Sequence, residues 1–163
     1  FLFFFRMVCG RRLLLNIKAD GLQRLVGAAL EAASGLAGAE AYAACEAYVF
    51  DMSVPDALGW LAVAAPLYVR HSEIEPAPAL YAQAAGVWVD QFFQDWVDAA
   101  AIERHLDAGK AVCLVSPELH RRDHRPQWDR LAAAGLGGRP GFSLCTDFPD
   151  EAAAIFMGGG DAG

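Results

Sequence analysis

Six short apolar runs recur along the chain. They are Leu13-Leu14-Leu15-Asn16-Ile17-Lys18, Ala47-Tyr48-Val49-Phe50-Asp51, Leu67-Tyr68-Val69-Arg70, Gly86-Val87-Trp88-Val89-Asp90, Ala111-Val112-Cys113-Leu114-Val115-Ser116 and Phe142-Ser143-Leu144-Cys145-Thr146-Asp147. Each is continuous rather than alternating and rich in branched or aromatic side chains, as strands are when helices cover both faces of a parallel sheet. Between the runs, apolar positions take the helical period. Leu22, Leu25, Val26, Ala29 and Leu30 share one face. Val54 to Leu61 follows Ser53, a good N-cap, with Pro55 in the first turn. Trp96, Val97, Ile102 and Leu106 belong to a further helix, which Gly109 can end in a left-handed conformation. Trp128, Leu131, Ala132 and Gly135 trace a fourth, and a short last helix follows Pro149.

Strand and helix in alternation predict a parallel α/β architecture. An open doubly wound sheet satisfies six strands, and so does an incomplete TIM-type (β/α) barrel, whose full form needs about 250 residues. The expected organisation is an irregular N-terminal segment over 1–11, a partial (β/α) barrel domain over 12–157 and a flexible tail over 158–163.

Composition narrows the function classes. With 163 residues, 55% of them hydrophobic and 20% charged, the chain can bury a core and is too apolar for disorder. A net charge of −7 argues against nucleic acid and anionic membranes as electrostatic partners. No run reaches the roughly 18–20 apolar residues of a membrane span. The Phe1 to Phe5 run stops at Arg6 with no cleavage-like sequence, and position 1 is not Met, so the expectation is a fragment or a misread gene start. Cys9, Cys45, Cys113 and Cys145 show no paired spacing and read as reduced core residues of a cytoplasmic protein.

Candidate chemistry sits at the strand ends. Each run finishes on polar groups: Lys18 with Asp20, Asp51 with Ser53, Arg70 with Ser72 and Glu73, Asp90, Ser116 with Glu118, and Thr146 with Asp147. In parallel α/β folds the carboxyl ends of strands form the ligand-binding rim. Asp, Ser and Thr there also serve as helix caps, whereas Lys18 and Arg70 are poor caps that end buried strands. An ammonium and a guanidinium suit an anionic ligand, with Asp51 or Asp90 as the alternative, neutralising partners. Arg70, Asp51 and Asp90 are candidate substrate contacts, joined by Glu118 and His120 in the charged stretch 116–125. His120 and His124 have the i,i+4 spacing of a metal pair, but Pro117 and Pro126 argue against one continuous helix. Glu73 and Glu75 read as solvated loop charges rather than cation ligands, and Trp88, Trp96, Tyr68 and Tyr81 as packing residues.

Together these segments resemble the glycerophosphodiester phosphodiesterase-like family of the phosphatidylinositol phospholipase C-like superfamily. Asn16-Ile17-Lys18-Ala19-Asp20-Gly21 is similar to its Glu-x-Lys strand. Gly109 to Ser116 resembles its seventh strand, and Cys145-Thr146-Asp147-Phe148-Pro149 its closing Thr-Asp-x-Pro segment. Phe50 to Asp56 and Val115 to His120 fall in order with these, so the resemblance runs over about residues 12–156.

The resemblance implies a TIM-barrel hydrolase of phosphodiesters that uses a divalent metal, Mg²⁺ or Ca²⁺, with two histidines as general acid and base. It implies Lys18 as the catalytic contact to phosphate or to the departing oxygen. Asn16 stands where the family has a metal-binding Glu, so metal binding by this chain is weakened. The family's His-Arg-Gly strand and acidic metal pair do not occur before Leu13, and His71, His105 and His120 do not follow the order of the missing histidines. The expected function is therefore a phosphoric diester hydrolase-like domain with weak or no turnover alone. The alternative is a non-catalytic anion-binding or interaction module. Two open barrel edges, at Leu13–Lys18 and Phe142–Asp147, predict self-association or a gapped barrel, with residues 1–12 able to cover one edge.

Overall fold

The computed structural model describes residues 12–37, 46–63 and 65–158. The expectations for residues 1–11, for the tail from 159 onward and for Cys9 and Cys45 lie outside these. Strands β1 (Arg12–Asn16), β2 (Glu46–Phe50), β3 (Tyr68–His71), β4 (Gly86–Val89), β5 (Ala111–Val115) and β6 (Phe142–Cys145) fall within the six expected runs or one residue beyond them. Helices α1 (Gln23–Ala37), α2 (Val54–Trp60), α3 (Ala99–Asp107), α4 (Arg125–Ala133) and α5 (Pro149–Met157) intervene. Two sheets result, ordered β1-β2 and β3-β4-β5-β6. The pairings β1 with β2, β4 with β5 and β5 with β6 are parallel, and an isolated parallel bridge joins Val49 to Leu67. The chain is a parallel α/β protein. No helix among the described residues is long and apolar enough to cross a membrane.

The chain groups into two compact units, Phe1–Val69 with Ala79–Ala85 and Arg70–Pro78 with Gly86–Gly163. The span 12–157, expected as one partial barrel domain, covers most of both.

In the first unit, Ile17, Leu30, Ala33, Val49, Phe50, Trp60 and Leu67 form the core. Leu25, expected on the buried face of α1, is 70% exposed. Leu30 of the expected face is buried, and Ala33, three residues further along the same side of the helix, extends it. Ser53 caps α2 as expected, its hydroxyl accepting the Asp56 N–H at 3.3 Å. The Asp56 carboxylate accepts N–H groups from Gly21 and from the Trp60 indole, each at 2.9 Å, and from the Gln23 amide. The Gly21 N–H is the main reason its carboxyl lies below the usual range; burial opposes this, and Trp60 and Gln23 reinforce it.

The second unit is built on β4, buried at every residue, and β5, buried from Val112 to Val115. Ile102, Trp128, Leu131 and Leu136 complete the core of this unit with almost no exposure. The sequence places Trp96 and Val97 in α3, but the helix starts only at Ala99, because the Asp98 carboxylate accepts the Ala101 N–H at 2.7 Å and caps it there. Gly109 ends it with φ +74°, as expected. Between β5 and α4 the two prolines act as anticipated. Pro117–His120 makes one 3-10 turn, and a new helix begins at Arg125, leaving His120 and His124 on different elements.

Candidate functional site

The polar strand ends form a cluster in each unit. In the first, β1 ends at the exposed Asn16, and Lys18, 71% exposed, pairs with Asp51. Asp51 follows β2 at φ +69°, a left-handed conformation that Asp tolerates and that turns the chain as the strand ends. Lys18 thus has the neutralising carboxylate that sequence reasoning gave as the alternative to a ligand. An open groove of about 790 Å³ on this unit is lined by Gly21, Arg24, Leu30 and Val63, with neither Lys18 nor Asp51 in its wall.

In the second unit, three strands deliver side chains to a shared polar rim. Asp90 follows β4, and its Oδ1 lies 2.7 Å from His120 Nε2 while accepting the Gln91 N–H at 2.8 Å. With a carboxylate as acceptor, Nε2 carries the proton and Nδ1 the lone pair. The His120 side chain is 23% exposed and that of Asp90 11%, so the imidazole is reachable from solvent and its carboxylate is shielded. The Phe92 ring meets His120 edge-on at 5.3 Å and lies 5.9 Å from the Arg70 guanidinium carbon.

Glu118 is held by other groups. Its carboxylate accepts the Ser116 and Thr146 hydroxyls and the Asp147 N–H, tying the end of β5 to that of β6. Burial alone would raise its carboxyl, but these donors outweigh it and hold the group below the usual range. The Trp128 indole N–H donates to Ser116 Oγ at 2.8 Å and completes the tie. Glu118 is therefore a brace between strands, with its oxygens engaged internally.

Arg70 pairs with Glu75. Glu73 and Glu75, read in the sequence as solvated, are both engaged. Glu73 accepts the N–H groups of Phe92, Phe93 and Gln94 at 3.0, 3.1 and 3.2 Å. Burial would raise its carboxyl, and the amides, with its own N–H, overcome that and hold it low.

Sequence reasoning missed Arg122, which donates to the carbonyls of Gln91 at 2.6 Å and Phe92 at 3.0 Å and pairs with Asp95 at 3.1 Å. It also missed the fully buried Gln91 and Gln127, whose amides pair reciprocally at 3.0 and 2.7 Å beneath the rim. A glutamine directly after a strand-terminal aspartate was the available signal for Gln91; nothing in the sequence pairs it with Gln127.

The divalent ion implied by the resemblance does not find its donors among the described residues. Asn16 is exposed, and no three His, Cys, Asp or Glu side chains there come together in a way that could hold a metal ion. The field at the rim is negative. Burial raises the Cys145 thiol, and Asp147, Glu118 and Asp90 raise it further.

No family model, no curated protein and no solved structure matches the chain.

Proposed function

We propose that the chain is a phosphoric diester hydrolase-like domain acting on glycerophosphodiesters or related small diesters, with its parallel strands part of a TIM-type barrel. The observation that carries this reading is the Asp90–His120 pair at 2.7 Å, directly beyond a buried parallel strand and reachable by solvent. Asp90 fixes the imidazole with its lone pair on Nδ1. That nitrogen takes a proton from water as the water oxygen bonds to phosphorus, and the imidazolium returns a proton to the alkoxide as the ester P–O bond breaks. Arg70 is the phosphate contact of this unit, and Lys18 the one the resemblance implies; phosphate at either must exchange with the carboxylate now paired there. A cytoplasmic location and self-association through β6, the last strand in its sheet order, complete the reading.

The test is hydrolysis of glycerophosphocholine and of bis(p-nitrophenyl) phosphate with Mg²⁺, with Ca²⁺ and with chelator. Slow turnover that His120→Gln abolishes while the far-ultraviolet spectrum stays unchanged supports the reading. Turnover that survives His120→Gln overturns it, no turnover in any condition selects the non-catalytic reading below, and rates that rise strongly with metal refute the metal-free step.

The ion pairs of Lys18 and Arg70 favour a second reading, a non-catalytic anion-binding or interaction module. Phosphate binding without turnover, weakened by Lys18→Ala, would select it.

A further inference from the structure

Two carboxylates from one turn occupy two anion receptors on the second unit. Phe92, Phe93 and Gln94 aim three successive N–H groups at Glu73, at 3.0 to 3.2 Å. Consecutive amides converging in this way make an anion-binding concavity. The other face of the same segment is held by Arg122 through the Gln91 and Phe92 carbonyls, which keeps the amides turned toward Glu73. Two residues further along the turn, Glu75 takes the Arg70 guanidinium, whose carbon lies 5.9 Å from the Phe92 ring centre. The turn is shaped for this task. Ser72, 1% exposed, accepts the N–H groups of Ile74 at 3.3 Å and Glu75 at 3.1 Å, and its own N–H donates to the Glu75 carbonyl at 3.2 Å.

We propose that the Phe92–Gln94 amides and Arg70 together form a receptor for a phosphate group, and that the Ser72–Glu75 turn is a built-in competitor whose carboxylates stand where phosphate oxygens bind. A phosphate offers several acceptor oxygens on one centre, which matches three amides and a forked guanidinium. With no ligand bound, Glu73 satisfies the three converging amides. Ligand binding then means lifting the turn, so affinity in the resting protein is low and rises when the turn loses its charges. The choice of phosphate as ligand rests on the diester reading above; the receptor and its competitor rest on the geometry of this segment.

The experiment titrates inorganic phosphate into wild type, Glu73→Gln/Glu75→Gln and a control, Glu103→Gln/Asp107→Gln. The control removes two carboxylates that pair with Arg139 elsewhere on the same unit. Calorimetry is expected to show affinity for phosphate raised about tenfold or more in the first variant, equivalent to about 1.4 kcal/mol, and unchanged in the control. The amide resonances of Phe92, Phe93 and Gln94 are expected to move on phosphate addition. Equal affinity in all three proteins, or an equal gain in the control, overturns the proposal. If the first variant does not fold, wild type at high phosphate decides. Saturable shifts at the three amides support the receptor, and their absence overturns it. Raised phosphate affinity with no diester turnover in any variant keeps the competitor and removes the hydrolase reading. Diester turnover with no gain in phosphate affinity does the reverse.

Discussion

Mild acid should destabilise this protein through one pair of histidines. His71 at the end of β3 and His105 in the last turn of α3 meet Nδ1 to Nε2 at 2.9 Å, an arrangement in which one ring donates and the other must keep its lone pair. Burial, then the neighbouring His71 and Arg104 charges, push His105 down to about 4, and burial with Arg104 lowers His71 as well. Both histidines therefore bind fewer protons in the folded than in the unfolded chain between these values and the ordinary 6.5. Stability falls as pH drops below about 6.5, and the loss levels off once pH passes the folded values. For a site closed to solvent, the His105 shift corresponds to about 2 kcal/mol lost by pH 5. Both rings are only part-buried, so screening reduces this to about 1 kcal/mol, roughly 0.5 M in the urea midpoint of a domain this size. The low carboxyls of Glu73, Glu118 and Asp56 also support the fold, but their contribution is lost only as pH falls below their unfolded values near 4, so pH 5 isolates the imidazoles. Urea unfolding at pH 7 and pH 5, at one ionic strength, should show a midpoint loss in wild type that is about halved in His105→Leu. An identical loss in the two proteins would refute the reasoning.

Three further outcomes follow from the packing. Gln127→Leu removes the reciprocal partner of the buried Gln91 amide, which keeps the Val115 carbonyl and the Val97 N–H, and should cost about 1–3 kcal/mol. The double variant Gln91→Leu/Gln127→Leu should fall short of the sum of the single changes by at least about 0.5 kcal/mol in chemical unfolding. Glu118→Ala unties Ser116, Thr146 and Asp147 together and should cost about 2–3 kcal/mol by the same assay, with Glu118→Gln intermediate. Gly137→Ala would place its Cβ 2.0 Å from the Phe156 carbonyl oxygen, a backbone clash that α5 must move to relieve, so a loss of about 1–3 kcal/mol is expected in thermal unfolding.

The strands were legible because burial on both faces leaves a continuous apolar run, and β4 and β5 are the purest cases. Helix starts were legible where a cap side chain stood beside a proline, as at Ser53 and Pro55. They were misread where apolar periodicity ran upstream of the true cap, as Trp96 and Val97 do before Asp98. The polar partners were much less visible. Glu73 finds its amides 19 to 21 residues away, Glu118 reaches Thr146 across 28, and Lys18 meets Asp51 across 33. A backbone N–H carries no signature of residue type, so the loop Phe92–Gln94 looks like any surface segment until the chain brings Glu73 to it. For the same reason Glu73 and Glu75 read as solvated charges when both are held.

Electrostatics decides where on the second unit an anion can settle. The ends of β4, β5 and β6 carry Asp90, Glu118 and Asp147, and the raised Cys145 thiol registers their combined field. Repulsion there keeps a phosphate from resting directly on the carboxylates. The segment from Asp90 to Gln94 offers a way round this. Its first residue orients His120, its third places an aromatic ring between His120 and Arg70, and its last three amides converge on a single anion. On the proposed reading, proton transfer and anion recognition lie on one short stretch of backbone, with the Phe92 ring touching both His120 and Arg70. Replacing Phe92 with alanine would keep every hydrogen bond of that stretch and remove only the spacer. Diester turnover should then fall further than phosphate affinity; an equal loss in both would refute the spacer role of Phe92.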